Sequence, residues 1–584
     1  MNDVRVKAVM REGGSGCWLT FDGLHSIVTA HDAAGVADAL RRIEREVEKN
    51  GIYAAGYVSY EAAPAFDAAL AVKQGGVMPL LWFGLFDEVA AGDCLTGGEG
   101  ADAADVSRCA WAPDVTPEAY VAAIARIKEL IAAGDTYQVN YTHRLSAQWS
   151  GDPWQAFLRL VAAQDAPYGA FIDTGEFAVC SASPELFFSL DGARIVSKPM
   201  KGTCARGMTY EDDRARAAAL RASEKERAEN LMIVDMVRHD LGRIARTGSV
   251  RVPRLFDVEQ YPTVWQMTST VEAETDADVS GIFTGLFPPA SITGAPKVRT
   301  MEIIRELETS PRGVYTGAVG FIAPGRRAQF NVAIRTLVAE RAACRAEYGV
   351  GGGIVWDSRA EREWQECLDK ARILREPPTP AFSLLETLLW EPGKGYVLLD
   401  RHLRRLAESS AYFGFGTDID AAREALERAA GEAGEKPRRV RLLARKDGSV
   451  MIEMHPVPAR PRKPQRVAFA ASPVERADPF LHHKTTHRRV YENALASRPG
   501  YGDVLLFNER GEVTESTIAN VVVEIDGVLC TPPLHCGLLA GTMRAELLER
   551  GEITEQVITV GQVRESPRVL LVNSVRGMYE VRVV

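Results

Sequence analysis

The sequence predicts an α+β chain of two domains. Three observations carry that expectation. At 584 residues the chain is longer than a single hydrophobic core usually organises. Both halves interleave helical stretches bearing one apolar stripe with short apolar, strand-like runs. Between the halves, "REPPTPAF" (Arg375 to Phe382) sets three prolines within four residues, which stops a helix and stiffens a linker. The expected organisation is a first domain at 1–375, a proline-rich linker at 376–381 and a second domain at 382–584.

Composition narrows the function classes. Hydrophobic residues make up 46% and charged residues 25%, ordinary values for a folded globular chain. A net charge of -9 and a pI near 5.8 leave no basic footprint for nucleic acid, so small molecules are the expected ligands. The nine cysteines are scattered and never spaced C-x-x-C, which predicts neither a disulfide framework nor a zinc knuckle. No charged-then-apolar leader opens the chain, and no apolar run approaches the roughly 18 residues that a membrane span needs. A cytoplasmic location without membrane partners is expected.

In order along the first domain, Thr116 caps and Pro117 opens a helix that Gly134 stops. "SKPMKGTCARG" (Ser197 to Gly207) places Lys201 between a Pro-Met pair and a Gly-Thr turn; by itself this reads as a solvated turn lysine. "ASEKERAENLMIVDMVRHDLGRIA" predicts a helix with Leu231, Val234, Val237 and Leu241 on its apolar face and Glu229 near that face's edge. "PPASITGAPKVRTMEIIRELE" reads as a turn running into a helix, with Ser291 and Thr293 near its start, where free N–H groups favour an anion.

"FNVAIRTLVAE" ends an apolar strand on Arg335, whose planar fork suits a carboxylate. "EYGVGGGIVWDS" is expected to form a turn at Gly349 and Gly351 to Gly353, bringing backbone N–H groups close to a carboxylate. "AEREWQECLDKARIL" predicts a helix with Glu363, Glu366 and Lys370 on one stripe. The glutamates of these two helices are either unrelated solvated faces or partners around a divalent cation, and oxygen-only ligation suits Mg²⁺. No G-x-G-x-x-G opening a helix, P-loop or H-E-x-x-H occurs.

Eight motifs then fall in a characteristic order: "GDTYQVNYT", "SASPELFF", "PMKGT", "ERAENLMIVDMVRHDLGR", "PPASITGAPKVRTMEII", "YTGAVGF", "AIRT" and "GGGIVWDS...EREWQECLDKA". In these the first domain resembles the chorismate-binding enzymes: anthranilate synthase, aminodeoxychorismate synthase component I and the isochorismate synthases. The resemblance implies a large α/β sandwich whose cleft holds Mg²⁺ and chorismate. It implies Glu229 and Glu366 as metal ligands with Glu363 beside them. Arg335, Thr293, Lys370 and the Gly351, Gly352, Gly353 turn would hold the substrate carboxylates.

Two positions sort among the members. Gln138 stands where isochorismate synthases carry a lysine base, and glutamine cannot take a proton from water near neutral pH. Lys201 stands where anthranilate synthases usually carry alanine, and resembles the lysine of those aminodeoxychorismate synthases that use a covalent step. The implied role is a nucleophile that displaces the 4-hydroxyl of chorismate before ammonia enters. Glu185 resembles the family carboxylate assigned to proton transfer at the departing oxygen; a strand-edge surface glutamate is its plain alternative.

Arg238-His239-Asp240 and Val264-Trp265-Gln266-Met267 depart from the family pattern, and Gln266 puts histidine-assisted aromatisation in doubt. The tryptophan-binding L-L-E-S motif is not evident. No G-x-C-x-G glutaminase motif occurs, so ammonia is expected from a glutamine amidotransferase subunit or from free ammonium.

In the second domain, "DPFLHHKTTHRRVYENALA" surrounds Lys484 with histidines and arginines, a setting that lowers an amine's pKa and readies it for a Schiff base. A surface basic patch is one alternative. The spacing of His483 and His487 makes a zinc pair another, though no third ligand follows. Downstream come a strand with Val521 and Val523 on one face, Glu515 before it, and a Gly541-Thr542 step opening a helix that would welcome a phosphate.

With "LDRHLRRL" (Leu399 to Leu406), these segments resemble the fold-type IV pyridoxal-phosphate enzymes: branched-chain and D-amino-acid aminotransferases and aminodeoxychorismate lyase. The resemblance implies Lys484 as cofactor-bearing acid/base, Glu515 against the pyridine nitrogen, Thr542 and Arg401 on the phosphate, and allows a homodimer. Together the halves imply a synthase of 4-amino-4-deoxychorismate followed by a lyase that releases pyruvate to give 4-aminobenzoate. The alternatives are an anthranilate synthase component I fused to a class IV aminotransferase, and a non-catalytic chorismate sensor.

Overall fold

The computed structural model describes residues 6–93, 95, 105–375, 380–458 and 464–584. Most of the expected linker, 376–379, lies outside the described residues. The fold comprises two compact units, one of Met1–Ala205 with Ala217–Thr379, the other of Arg206–Arg216 with Pro380–Val584. Both mix helices and strands.

The first unit is built on an 18-stranded, largely antiparallel sheet system. Neighbouring residues of one strand split between core clusters, as alternation across a pleated strand requires: Tyr57 packs with Phe21, Trp82 and Phe321, Val58 with Leu40, Phe83 and Phe283. The predicted helix after Thr116 runs Pro117–Ala132, its cap accepting from Ala119 N at 3.2 Å, and Gly134 follows at φ 83°.

Strand β1 (Gln138–Gln148) and strand β2 (Met200–Ala205) carry two of the predicted site positions. Helix α1 (Glu224–Gly242) is capped by Ser223 and buries Asn230, Ile233, Val234, Val237 and Leu241. Leu231, expected on that face, is 46% exposed; one helical step away, Asn230 turns inward in its place. Strand β3 (Val264–Glu274) pairs antiparallel with β2, and the register shifts between Met200 and Thr203. Lys201 therefore sits at a β-bulge, a device that re-aims a side chain. Gly202 supplies the φ of 93° the bulge needs.

The expected glycine turn is instead the interior of strand β4 (Arg345–Ile354), in register with β1 from Arg345↔Gln148 to Ile354↔Val139. Thr293 likewise lies not at a helix start but beside a two-residue strand, Gly294–Ala295, paired with β1. Helix α2 (Ala360–Ala371) brings Glu363, Glu366 and Lys370 onto one stripe as predicted.

The second unit opens with strand β5 (Leu384–Glu391), in a four-stranded antiparallel sheet packed against helix α3 (Leu399–Phe413). An eight-stranded mixed sheet follows, containing β6 (Val513–Ser516) and β7 (Asn520–Ile525). Helix α4 (Thr542–Glu549) begins directly after Gly541. No helix among the described residues is long and apolar enough to cross a membrane.

Candidate active sites

In the first unit the glycines of β4 form a floor on which several predicted residues converge. A Cβ on Gly353 would fall 2.7 Å from Lys201 Nζ and 3.0 Å from Gln138 Nε2. A Cβ on Gly352 would lie 3.3 Å from Glu363 Oε2 and 3.8 Å from both Glu366 Oε1 and Lys370 Nζ. These strand positions are glycine because side chains from elsewhere occupy the space a Cβ would take. Lys370 Nζ pairs with Glu366 Oε1 at 2.6 Å and donates to Gly351 O at 2.7 Å.

Lys201 is partly exposed as a residue, but its amine faces this floor. Burial lowers its pKa from the ordinary lysine value, aided by Lys370 and opposed by Glu229, Glu185 and Glu366. Asn230 Nδ2 donates to Lys201 O at 3.2 Å and is itself held by Ser269 Oγ at 2.6 Å, which anchors the bulge.

Glu185 is no surface glutamate. It is 4% exposed, and burial pushes its carboxyl up to about 7, against the opposing pull of the Lys201 charge. The Gln138 amide is fully buried, and its Oε1 and Nε2 find no protein partner among the described residues. A buried amide left unmade costs free energy unless something else satisfies it.

Arg335 stands at φ 53° between two strands and donates to Lys370 O at 2.8 Å, a strained backbone beside the floor. Thr293 is buried, and its hydroxyl donates within its own turn, to Pro289 O and Ala290 O. Among the glutamates, burial raises Glu229 and Glu363, each with a further push from Glu366. Glu366 itself is held low despite burial by Lys370. The described residues contain no group of three His, Cys, Asp or Glu side chains close enough to hold a metal unaided.

In the second unit Lys484 lies in an irregular segment between the short helices Pro479–His482 and Arg489–Ala496. Leu385 N donates to its carbonyl at 2.9 Å. Burial, then the nearby Arg405 charge, brings its amine down to about 8. Burial pushes Glu515 up to about 7; Tyr491 Oη donates to it at 2.7 Å and Leu539 N at 3.2 Å. The Lys484 and Glu515 charges act on one another, each partly offsetting what burial does to the other.

Thr542 Oγ1 meets His402 Nε2 at 3.2 Å, and His402 Nδ1 meets Glu386 Oε2 at 2.6 Å. Gly541 is required before it, because a Cβ there would fall 1.8 Å from Asn520 Oδ1. Arg401 is not brought to this group: it pairs with Glu546 at 3.0 Å and with Glu549, both on α4. One turn later, Arg405 holds Glu386 in two places, at 2.8 and 2.6 Å, and donates to Ala540 O at 2.9 Å.

The His402–Arg405 pair was discoverable, since both share the inward stripe of α3 with Leu403 and Leu406. His483 and His487 form no metal pair. His483 stacks on Tyr412 at 4.1 Å, and burial takes its imidazole down to about 3, while His487 packs on Phe480 at 4.4 Å.

Residues 18–376 match the family model described as chorismate binding enzyme, and residues 383–584 match that of amino-transferase class IV. Aminodeoxychorismate synthase component 1 of Escherichia coli K12 is 44% identical over 271 residues, 46% of this chain and 59% of the relative. Anthranilate synthase component 1 1 of Haloarcula marismortui is 42% identical over 263 residues, 45% of this chain and 53% of the relative. The chain thus spans little more than half the length of these curated relatives. The crystal structure of anthranilate synthase component I from Streptococcus pneumoniae aligns with a TM-score of 0.55 at 24% identity, over 64% of this chain and 94% of that one, a likeness of fold.

Proposed function

The chain belongs to the chorismate binding enzyme family, and on that premise we propose that it makes 4-aminobenzoate in two steps. The first unit converts chorismate and ammonia into 4-amino-4-deoxychorismate; the second removes pyruvate. The observation carrying the first step is the Lys201 amine, its charge disfavoured by burial, set against the Gly353 floor beside Gln138.

In that step the neutral Lys201 amine forms a C–N bond to the chorismate ring while the C–O bond to the 4-hydroxyl breaks. Protonated Glu185 gives its proton to the departing oxygen, which leaves as water. Ammonia then forms the new C–N bond at C4, the bond to Lys201 breaks, and the surplus proton returns to Glu185. A glutamine amidotransferase subunit supplies the ammonia.

Glu229, Glu363 and Glu366 offer only carboxylate oxygens, a donor set that fits Mg²⁺ completing its shell with water and substrate. Such a cation would offset both the burial that raises Glu229 and Glu363 and the added push from Glu366. Arg335 and Lys370 hold the substrate's carboxylates beside the β4 glycines.

The second unit's residues fit pyridoxal phosphate: an amine for its aldehyde, Glu515 for its pyridine nitrogen, Thr542 and Arg405 at the α4 entrance for its phosphate. When bound, that group supplies an electron sink. Lys484 carries it and takes the ring proton whose loss accompanies pyruvate release, Glu515 keeps a proton at the pyridine nitrogen, and the His402–Glu386 pair orients Thr542. Arg405 replaces the expected Arg401.

The test incubates the purified chain with chorismate, Mg²⁺ and ammonium, with and without pyridoxal phosphate. The expected products are 4-amino-4-deoxychorismate without the cofactor and 4-aminobenzoate with it. Anthranilate as product would overturn the assignment of the first unit. Transfer of an amino group to a keto acid, without 4-aminobenzoate, would overturn that of the second.

A further inference from the structure

The second unit includes a segment, Arg206–Arg216, that follows β2 in the chain. Arg206 and Asp213 are both buried and joined in two places, at 2.7 and 2.8 Å. Arg206 Nη2 also donates to Tyr412 O at 2.7 Å, and its guanidinium lies 4.4 Å from the Tyr412 ring centroid. Tyr412 Oη donates back to Gly207 O at 2.9 Å. Gly207 is obligatory in this clasp, since a Cβ there would fall 2.2 Å from Asp213 N.

The clasp leads to the candidate site. The Tyr412 ring stacks on His483 at 4.1 Å with 29° between planes, and Ser409 Oγ meets His483 Nδ1 at 3.0 Å. His483 precedes Lys484, whose other flank is tied to β5 through Leu385 N and the Leu384↔Thr485 bridge. Burying an ion pair is costly unless its geometry is well satisfied, and hydrophobic packing would stabilise as well or better. A pair joined in two places, linked through Tyr412 and His483 to a reactive lysine, is better explained by the placement it imposes.

We propose that Arg206 is a positioning residue for the reaction at Lys484, fixing Tyr412 against His483 and so the height of Lys484 in its pocket. This rests on the reading of Lys484 as the cofactor-bearing amine. The test uses the full chain as wild type, Arg206→Ala, Arg206→Lys and Tyr412→Phe, each supplied with pyridoxal phosphate. The readouts are the pH titration of the bound cofactor's absorption, borohydride trapping of the cofactor on Lys484, 4-aminobenzoate release from added 4-amino-4-deoxychorismate, and chorismate consumption.

Arg206→Ala is expected to keep chorismate consumption and trapping while its titration midpoint moves by about half a pH unit or more. Release of 4-aminobenzoate falls by about tenfold or more. Arg206→Lys, with charge but no fork, falls between. Wild-type titration and release in Arg206→Ala overturn the inference; should that variant not fold, the same result in Tyr412→Phe, which keeps the ring and loses its bond to Gly207, overturns it equally. Absence of trapping on Lys484 in the wild type overturns the reading of the second unit and this inference with it, whereas trapping in all four with unchanged titration overturns this inference alone.

Discussion

Lys201 and Gly353 face each other so closely that one methyl group on the glycine would stand 2.7 Å from the lysine amine. The atoms such a methyl would meet are the flexible ends of Lys201 and Gln138, so the chain can yield without unfolding. Gly353→Ala is therefore expected to fold normally, with a chorismate-consuming rate about a hundredfold lower because the amine is displaced. Thermal unfolding beside steady-state kinetics checks both halves of this expectation.

The same pocket sets a pH profile. Lys201 must be neutral to attack, and its pKa is lowered by burial. Glu185 must carry a proton to donate it, and burial places its loss at about 7. In the proposed step, rising pH favours the rate through Lys201 and, above about 7, opposes it through Glu185. Glu185→Gln should remove the opposing dependence near 7 and cost about 10²- to 10³-fold in rate.

Two arginines one helical turn apart should behave oppositely. Arg405→Ala is expected to weaken pyridoxal phosphate binding by about tenfold or more, since a charged, forked donor to the phosphate is lost. Arg401→Ala removes only its contacts to Glu546 and Glu549 and should leave the affinity within about twofold. Fluorescence titration of cofactor into each variant decides the matter.

Glu386 is a stability prediction. Despite burial, Arg405 and His402 hold its carboxyl down to about 2, below the ordinary value of 4.5. Its folded pKa being depressed, its stabilisation is fully present above about 4.5 and is lost as pH falls toward about 2. Glu386→Ala strands Arg405 without its carboxylate and should cost the second unit about 3–5 kcal/mol near neutral pH. Urea unfolding at pH 7 and pH 3 should show the penalty shrinking at the lower pH.

What could be read in advance was local. Thr116 announces its helix because an N-cap hydroxyl and the donors it satisfies lie within three residues. The eight ordered motifs pointed to the chorismate-binding family because their spacing records chemistry. The glycines of β4 read as a turn in the sequence, since glycine is poor in strands. Only their pairing with β1 and the side chains arriving over them make them a floor. Leu231 and Asn230 exchanged faces because a polar partner, Ser269, waits on β3, and no helical pattern contains that information. Charge alone does not distinguish the buried side of a helix, which carries Arg405, from the side that carries Arg401. Nothing in the letters following Lys201 marked them as belonging with the second unit.

That last feature bears on how such a chain could be taken apart. Scission of the gene at the proline-rich boundary yields a downstream product missing Arg206–Arg216 and an upstream product that keeps this segment. A cut there leaves the second unit without the Arg206–Asp213 pair and its bond to Tyr412, so no single break in the chain parts one unit whole from the other.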